Sequence, residues 1–267
     1  MSDYILRAID NKSEIRAFAA IMTDTCQRAQ KIHALSPVVS SDMNKLLITA
    51  AIMQLMEKND DALISLQLSG RENKVNLNAV ATADGYLKCS AIVGTMNEKN
   101  MQSELKEGFL KLVRDIGMRE PYISTVQVKD NNLGQAVQDY YAQSEQVESY
   151  VIFSDNNDEY MGLIVQLLPN AKAETIENLK KQFAELDWQN ISALGAILEK
   201  LSLKIVDKQM VKYKCNCSRE QMGKALISLG KEQLQSLIDD GEPLEMGCRF
   251  CKKTYTFTIA DLHDLVV

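Results

Sequence analysis

The chain has 267 residues, 46% of them hydrophobic and 25% charged, which suits a folded protein with one large domain and a small appendage. Its net charge of −6 argues against a general nucleic-acid binder, which needs excess Lys and Arg to displace counterions. Acids come early at the N-terminus, and the longest greasy segment, LLITAAIMQLM, is far short of the ~20 apolar residues of a membrane span; a cytoplasmic protein with no signal peptide and no membrane contact is expected.

In chain order, YILRAI reads as a strand, and Ser13 as the N-cap of a helix over residues 14–35. A second helix follows Pro37. Three strand-like runs come next, ALISLQL, KVNLNAVAT and YLKCSAIV, the last two joined at Asp84-Gly85, a hairpin turn signal. YISTVQV and the pair YVIFS and MGLIVQLL add strands around a helix, LGQAVQDYYAQ. Hairpin-like runs with helices between clusters predict an α+β core domain over residues 1–170, not a doubly wound sheet.

Over residues 171–209 the texture changes. Apolar residues fall at Ile176, Leu179, Phe183 and Leu186, then at Ile191, Leu194, Leu198 and Leu201, each set on one helical stripe. Two accounts fit: a permanently packed helix pair, or an amphipathic helical linker that covers apolar surface and can be released. Residues 210–267 form a third block with eight Lys/Arg against eight Asp/Glu, so the tail is not a basic module either. Ser218 and Gln221 make a capping box for one helix, closed by Gly230; KEQLQSLIDD forms another, closed by Gly241, and TYTFTI alternates like a strand. Such a small block needs a staple.

The staple is in the cysteines. Cys215 and Cys217 form a CxC and Cys248 and Cys251 a CxxC, two close pairs separated by a folded insert. In extended chain, residues i and i+2 face the same way, so both CxC thiolates can reach one ion. Four thiolates in this pattern make a tetrahedral zinc site, and a reducing compartment disfavours permanent disulfides. Thiolates are also what peroxide oxidises: a sulfenic acid on one sulfur can be resolved by its near neighbour. A Cys215–Cys217 disulfide closes a very small ring, which forms most easily once the local fold has come apart. Permanent structural zinc explains the ligation equally well.

The order CNCS, insert, GCRFCKKTYTFTIADLHDL closely resembles the redox-regulated holdase chaperones of the heat shock protein 33 family. SEIRAFAA, HALSPV, DIGMREPYISTV, YYAQSEQ and GLIVQLLPNA resemble family segments in the family's order, so the likeness covers nearly the whole chain. It implies a core domain that binds clients and dimerises, a metastable linker, and a zinc domain acting as a redox switch. The reduced form, with one Zn2+ on Cys215, Cys217, Cys248 and Cys251, is then a poor chaperone. Oxidation releases the metal, forms Cys215–Cys217 and Cys248–Cys251, unfolds the linker, favours a homodimer and lets unfolding client proteins be held without ATP. Cys26, Cys89 and the stretch RENKVNLNAVATADGYLKC depart from the family pattern, and both cysteines are expected to be buried small hydrophobes.

No catalytic set can be assembled. His33 is expected at a helix end and His263 on a solvated turn; MGKALISLGKE has no GxxxxGK[ST], so no ATP use is expected. The protein reads as a non-enzyme. The rivals are a structural zinc module that recruits a protein partner and, less favoured, a thiol–disulfide oxidoreductase. The latter wants its CxxC at a helix N-terminus, whereas Cys248–Cys251 precedes a strand.

Overall fold

The computed structural model describes residues 2–57, 59, 61–154, 159–185 and 194–266. The chain divides into two compact units, Met1–Tyr213 and Lys214–Val267.

The first unit opens with strands β1 (Tyr4–Asp10) and β2 (Ile15–Ile21), then helices α1 (Thr23–His33) and α2 (Pro37–Met56). Strands β3 (Leu63–Ser69), β4 (Val75–Thr82) and β5 (Tyr86–Val93) follow, then helix α3 (Glu98–Lys106) and strands β6 (Glu107–Asp115) and β7 (Tyr122–Lys129). Helix α4 (Leu133–Tyr140) runs into a π-helical turn, Tyr141–Glu145. Strands β8 (Ser149–Ser154) and β9 (Met161–Leu167), helices α5 (Ala173–Glu185) and α6 (Leu194–Lys200), and strands β10 (Leu203–Met210) and β11 (Lys212–Tyr213) complete it. Two sheets result, in the orders β10-β1-β2-β9-β8 and β11-β5-β4-β3-β6-β7. Every pairing is antiparallel except β11 with β5. The α+β class expected from the sequence is what forms.

Helix α2 packs against strands of both sheets, and its burial on nearly every side explains its evenly apolar sequence. Its Met43, Leu47 and Ile52 share a core with Phe18, Leu66 and Leu77. The other face of the first sheet, with Leu6, Ala8, Ala17, Ala19, Leu163 and Val165, is covered by α5 and α6 through Leu179, Leu194, Ile197 and Leu198. The alanines leave shallow ground on which large leucines seat. Of the predicted stripe, Leu186 and Ile191 lie outside the described residues. The expected helical stretch 171–209 ends instead in β10, which pairs with β1 from Tyr4↔Met210 to Asp10↔Leu203.

The helix expected from Ser13 is also corrected. Ser13 sits in the β1–β2 turn at φ 56°, where the Asp10 carboxylate accepts from the amides of Glu14 (2.7 Å) and Ile15 (2.8 Å). Residues 15–21 are strand β2, between β1 and β9, with Phe18 and Ala20 facing the α2 core and Ile15, Ala17 and Ala19 facing α5 and α6. A strand buried on both faces has no polar alternation, so its sequence resembles a buried helix. The helix begins at Thr23, and its cap is remote: Asp3 accepts from the amides of Asp24 (3.0 Å) and Thr25 (2.6 Å).

In the second unit, helices α7 (Arg219–Ile227) and α8 (Lys231–Asp239) precede the hairpin β12 (Leu244–Gly247) and β13 (Thr254–Phe257) and helix α9 (Ile259–Leu265). Leu226, Leu234, Ile238, Phe257 and Leu262 form its small core, with Cys248 among them. Ser218 caps α7 by accepting from Gln221 N (3.2 Å), as its sequence signals. Gly230, expected to close α7, instead precedes α8 at φ 93°, because α7 has already ended at Ile227. Gly241 closes α8 at φ 72°.

Candidate metal centre

Two non-helical segments of the second unit carry the four thiols. Cys215 and Cys217 lie just before α7, and Cys217 directly precedes its cap, Ser218. Cys248 follows the last residue of β12, and the chain then turns back into β13. That turn is closed by Lys252 N donating to Cys248 O and Cys248 N to Lys253 O, both at 2.8 Å, with Lys252 left-handed at φ 61°. The two halves are tied together by Arg219. Its guanidinium reaches the Thr256 carbonyl, lies 2.8 Å from Asp261 Oδ2 and stacks 4.4 Å from the Phe257 ring centroid. Asp261 is in turn the far end of the α9 capping box with Thr258. Hydrogen bonds from Thr258, with Arg219, hold its carboxyl down at about 2.

The four sulfurs all lie within 4.8 Å of one another. The close approaches join the two motifs, Cys215 Sγ to Cys248 Sγ at 3.7 Å and Cys217 Sγ to Cys251 Sγ at 3.4 Å. A tetrahedron with metal–sulfur bonds of about 2.3 Å has sulfur–sulfur edges of roughly 3.8 Å, so the arrangement fits one four-coordinate ion with soft ligands. The electrostatics agree. Burial pushes the Cys215 thiol up to about 12 and that of Cys251 upward as well. Burial acts on Cys217 too, but hydrogen bonds from Tyr255 and the neighbouring thiols outweigh it and bring Cys217 down to about 7. Without a central cation Cys215 and Cys251 resist ionising beside Cys217; a divalent ion supplies the missing compensation. Cys248 is buried and the other three are partly exposed, so the ligand set is within reach of a small oxidant.

Tyr255 is the site residue that sequence reasoning passed over. Its hydroxyl donates to the Cys217 carbonyl at 3.0 Å and lies 3.2 Å from Cys217 Sγ. The alternation of TYTF carries the signal, since it turns Tyr255 and Phe257 to the inner face of β13. Tyr255→Phe is expected to leave the unit folded and to weaken metal binding about 10- to 100-fold, read by competition with a chromogenic chelator. Unchanged affinity would make Tyr255 a packing residue only.

The remaining candidates lie elsewhere. Cys26 and Cys89 are fully buried in the main core of the first unit, as expected, and burial pushes the Cys26 thiol well up. Cys89 Sγ lies 3.8 Å from Tyr213 Oη, and His33 Nε2 lies 3.4 Å from the same hydroxyl. His263 is exposed on α9.

Comparison with known proteins agrees with this geometry. The sequence profile described as Hsp33 protein matches residues 3–258. A 33 kDa chaperonin of Lachnoclostridium phytofermentans is 33% identical, the alignment covering 100% of this chain and 99% of that protein. One of Acetivibrio thermocellus is 32% identical over 100% of this chain and 97% of the relative. Among solved structures, the 33 kDa chaperonin (heat shock protein 33 homolog) of Thermotoga maritima superposes with a TM-score of 0.87 at 23% identity, covering 100% of this chain and 98% of that one. No described helix is long and apolar enough to cross a membrane.

Proposed function

The chain belongs to the Hsp33 protein family, and from that premise we propose that it is a redox-regulated, ATP-independent holdase. It is a chaperone and not an enzyme. In this proposal Cys215, Cys217, Cys248 and Cys251 hold one zinc ion per chain in the reducing cytoplasm, and the ion supplies the charge compensation that keeps four close thiolates together. Residues 210–267 are the switch, residues 1–170 carry the client and dimer surfaces, and the intervening helices α5 and α6 are the cover.

Activation balances as two dithiol oxidations. A thiolate attacks one oxygen of hydrogen peroxide, giving a sulfenic acid and, with a proton, water. The neighbouring thiol displaces the second oxygen as another water, leaving a disulfide. Two peroxides therefore convert four thiols into Cys215–Cys217 and Cys248–Cys251, remove every ligand and release the ion. The sulfurs of each motif already lie close together, but a Cys215–Cys217 disulfide closes a very small ring that folded backbone accommodates poorly, so it forms most easily once the second unit opens. That preference gives a reason for oxidant and an unfolding stress to act together.

Four sulfurs within 4.8 Å of one another in a unit with a small core is the observation that carries the proposal. Its test follows zinc release and light scattering from a heat-unfolding client in the same samples. Peroxide at elevated temperature is expected to eject about one zinc per chain and to let the protein suppress scattering, which the reduced form does not. Zinc that leaves with no gain in client protection would mark the metal as purely structural and favour a partner-recruiting module.

A further inference from the structure

The first unit contains a cavity of about 290 Å³ that the metal centre does not use. Arg16 on β2 and Gln166 on β9 form one wall, and the C-terminal end of α2 another. The π-helical turn closes a third side with Tyr141 and Glu145. Such turns are rare and collect at functional sites, because the extra residue re-aims the side chains that follow.

The charges around this cavity are matched unequally. Arg114 Nε lies 2.8 Å from Glu57 Oε1 and its Nη1 3.1 Å from Glu145 Oε1, while Glu145 also accepts from Tyr140 Oη at 2.8 Å. Both carboxylates are thus satisfied by Arg114. Arg16 has no carboxylate in direct contact: its Nε donates to Gln166 Oε1 at 2.9 Å, its guanidinium lies 5.8 Å from the Phe18 ring centroid, and Glu145 acts on it only at longer range. Among the described residues no carboxylate pairs with it. Gln166 is fully buried and donates its amide nitrogen to Ser149 Oγ at 3.0 Å, which fixes its oxygen toward Arg16. A second cation, Arg7, stands 5.6 Å from the same Phe18 ring and donates to the Leu55 carbonyl, so it adds positive charge without neutralising any. The half-buried guanidinium of Arg16, oriented by Gln166 and ion-paired to no carboxylate, is a ready anion receptor with a fork suited to a carboxylate. Glu57, Arg114 and Tyr140 also line the cavity, and beside them Met53, Met56, Ile64 and Leu112 make an apolar wall whose methionines adapt to the shape of what they cover.

We propose that this cavity binds a small amphiphilic carboxylate, its head group on Arg16 and its tail along Met53, Met56, Ile64 and Leu112. The size agrees, since ligand pockets start at about 300 Å³ and combine apolar walls with a few placed polar groups. This site is distinct from the redox switch and does not rest on the holdase function.

The test titrates the reduced full-length protein with sodium octanoate by calorimetry, with octan-1-ol as a probe that keeps the tail and loses the charge. One saturable site per chain is expected, at least tenfold tighter for octanoate than for octanol. Arg16→Gln should bring octanoate down to the level of octanol, and Arg16→Lys should retain part of the difference. Should Arg16→Gln fail to fold, the Met53 and Met56 methyl resonances of the unaltered protein decide: they must shift over the same octanoate range as the heats. Equal binding of the two probes, heats without saturation, or unmoved methyl resonances each overturn the proposal.

Discussion

Replacing Cys248 by serine is expected to empty the metal centre and unfold the second unit while leaving the first folded. Cys248 is the buried member of the set, 3% exposed, with its sulfur 3.7 Å from that of Cys215. Its backbone also closes the turn between β12 and β13. A serine hydroxyl stays protonated at neutral pH and offers no soft ligand, so three thiols and an open position remain. The consequence is large because the unit has little else. Its apolar core is a handful of side chains packed around the cysteines themselves. Zinc binding in comparably small domains contributes about 10–16 kcal/mol at neutral pH, as much as the entire stability of a typical domain. Elemental analysis should find near-zero zinc per chain, and amide exchange should become fast over residues 214–267 and stay slow in α2. Cys26→Ser is the companion: it lies in the other unit, so zinc should remain at about one per chain. A Cys248→Ser protein that keeps its zinc would refute the ligand assignment.

The four-thiol cluster was legible because its information is local. Two cysteine pairs and an insert imply four sulfurs brought together, and Ser218 states where α7 begins. The hairpin at Asp84-Gly85 is equally local, with Gly85 at φ 72° donating to Thr82 O at 3.0 Å. What could not be read is non-local. Strand β2 has the composition of a helix because two layers bury it from opposite sides, and α1 takes its cap from Asp3, about twenty residues upstream. Strand β10 continues a stretch with helical spacing, yet it is held by its register with β1 at the other end of the chain. Its exposed Ile205, Val206 and Met210 give no inward stripe that a period could detect. Glu107–Asp115, assigned to no element from sequence, is a strand only because β3 and β7 flank it. Tyr255 falls between these cases: its inward orientation was readable, but its bond to Cys217 exists only because the two halves of the centre meet.

Loosening the α5–α6 cover is expected to activate the protein without oxidation, if the cover is what hides the client surface. Leu179 and Leu198 are each 1% exposed and sit on the sheet face built from Leu6, Ala8, Ala17, Ala19 and Leu163. Beneath them the small alanines cannot expand to fill a void, so truncation leaves a cavity. Each Leu→Ala change costs about 2–5 kcal/mol in such a site, and the two share one cluster, so their effects will not simply add. Even a single loss multiplies the population of the opened cover by roughly thirtyfold to several thousandfold. None of this touches the sulfurs. Leu179→Ala combined with Leu198→Ala should therefore keep about one zinc per chain and yet suppress client scattering under reducing conditions. Amide exchange separates the outcomes: protection should fall over α5 and α6 and persist in β2 and β9. If the cover opens by that measure and scattering is unchanged, the sheet face beneath it is not where clients bind, and the apolar ground over β1, β2 and β9 is core and nothing more.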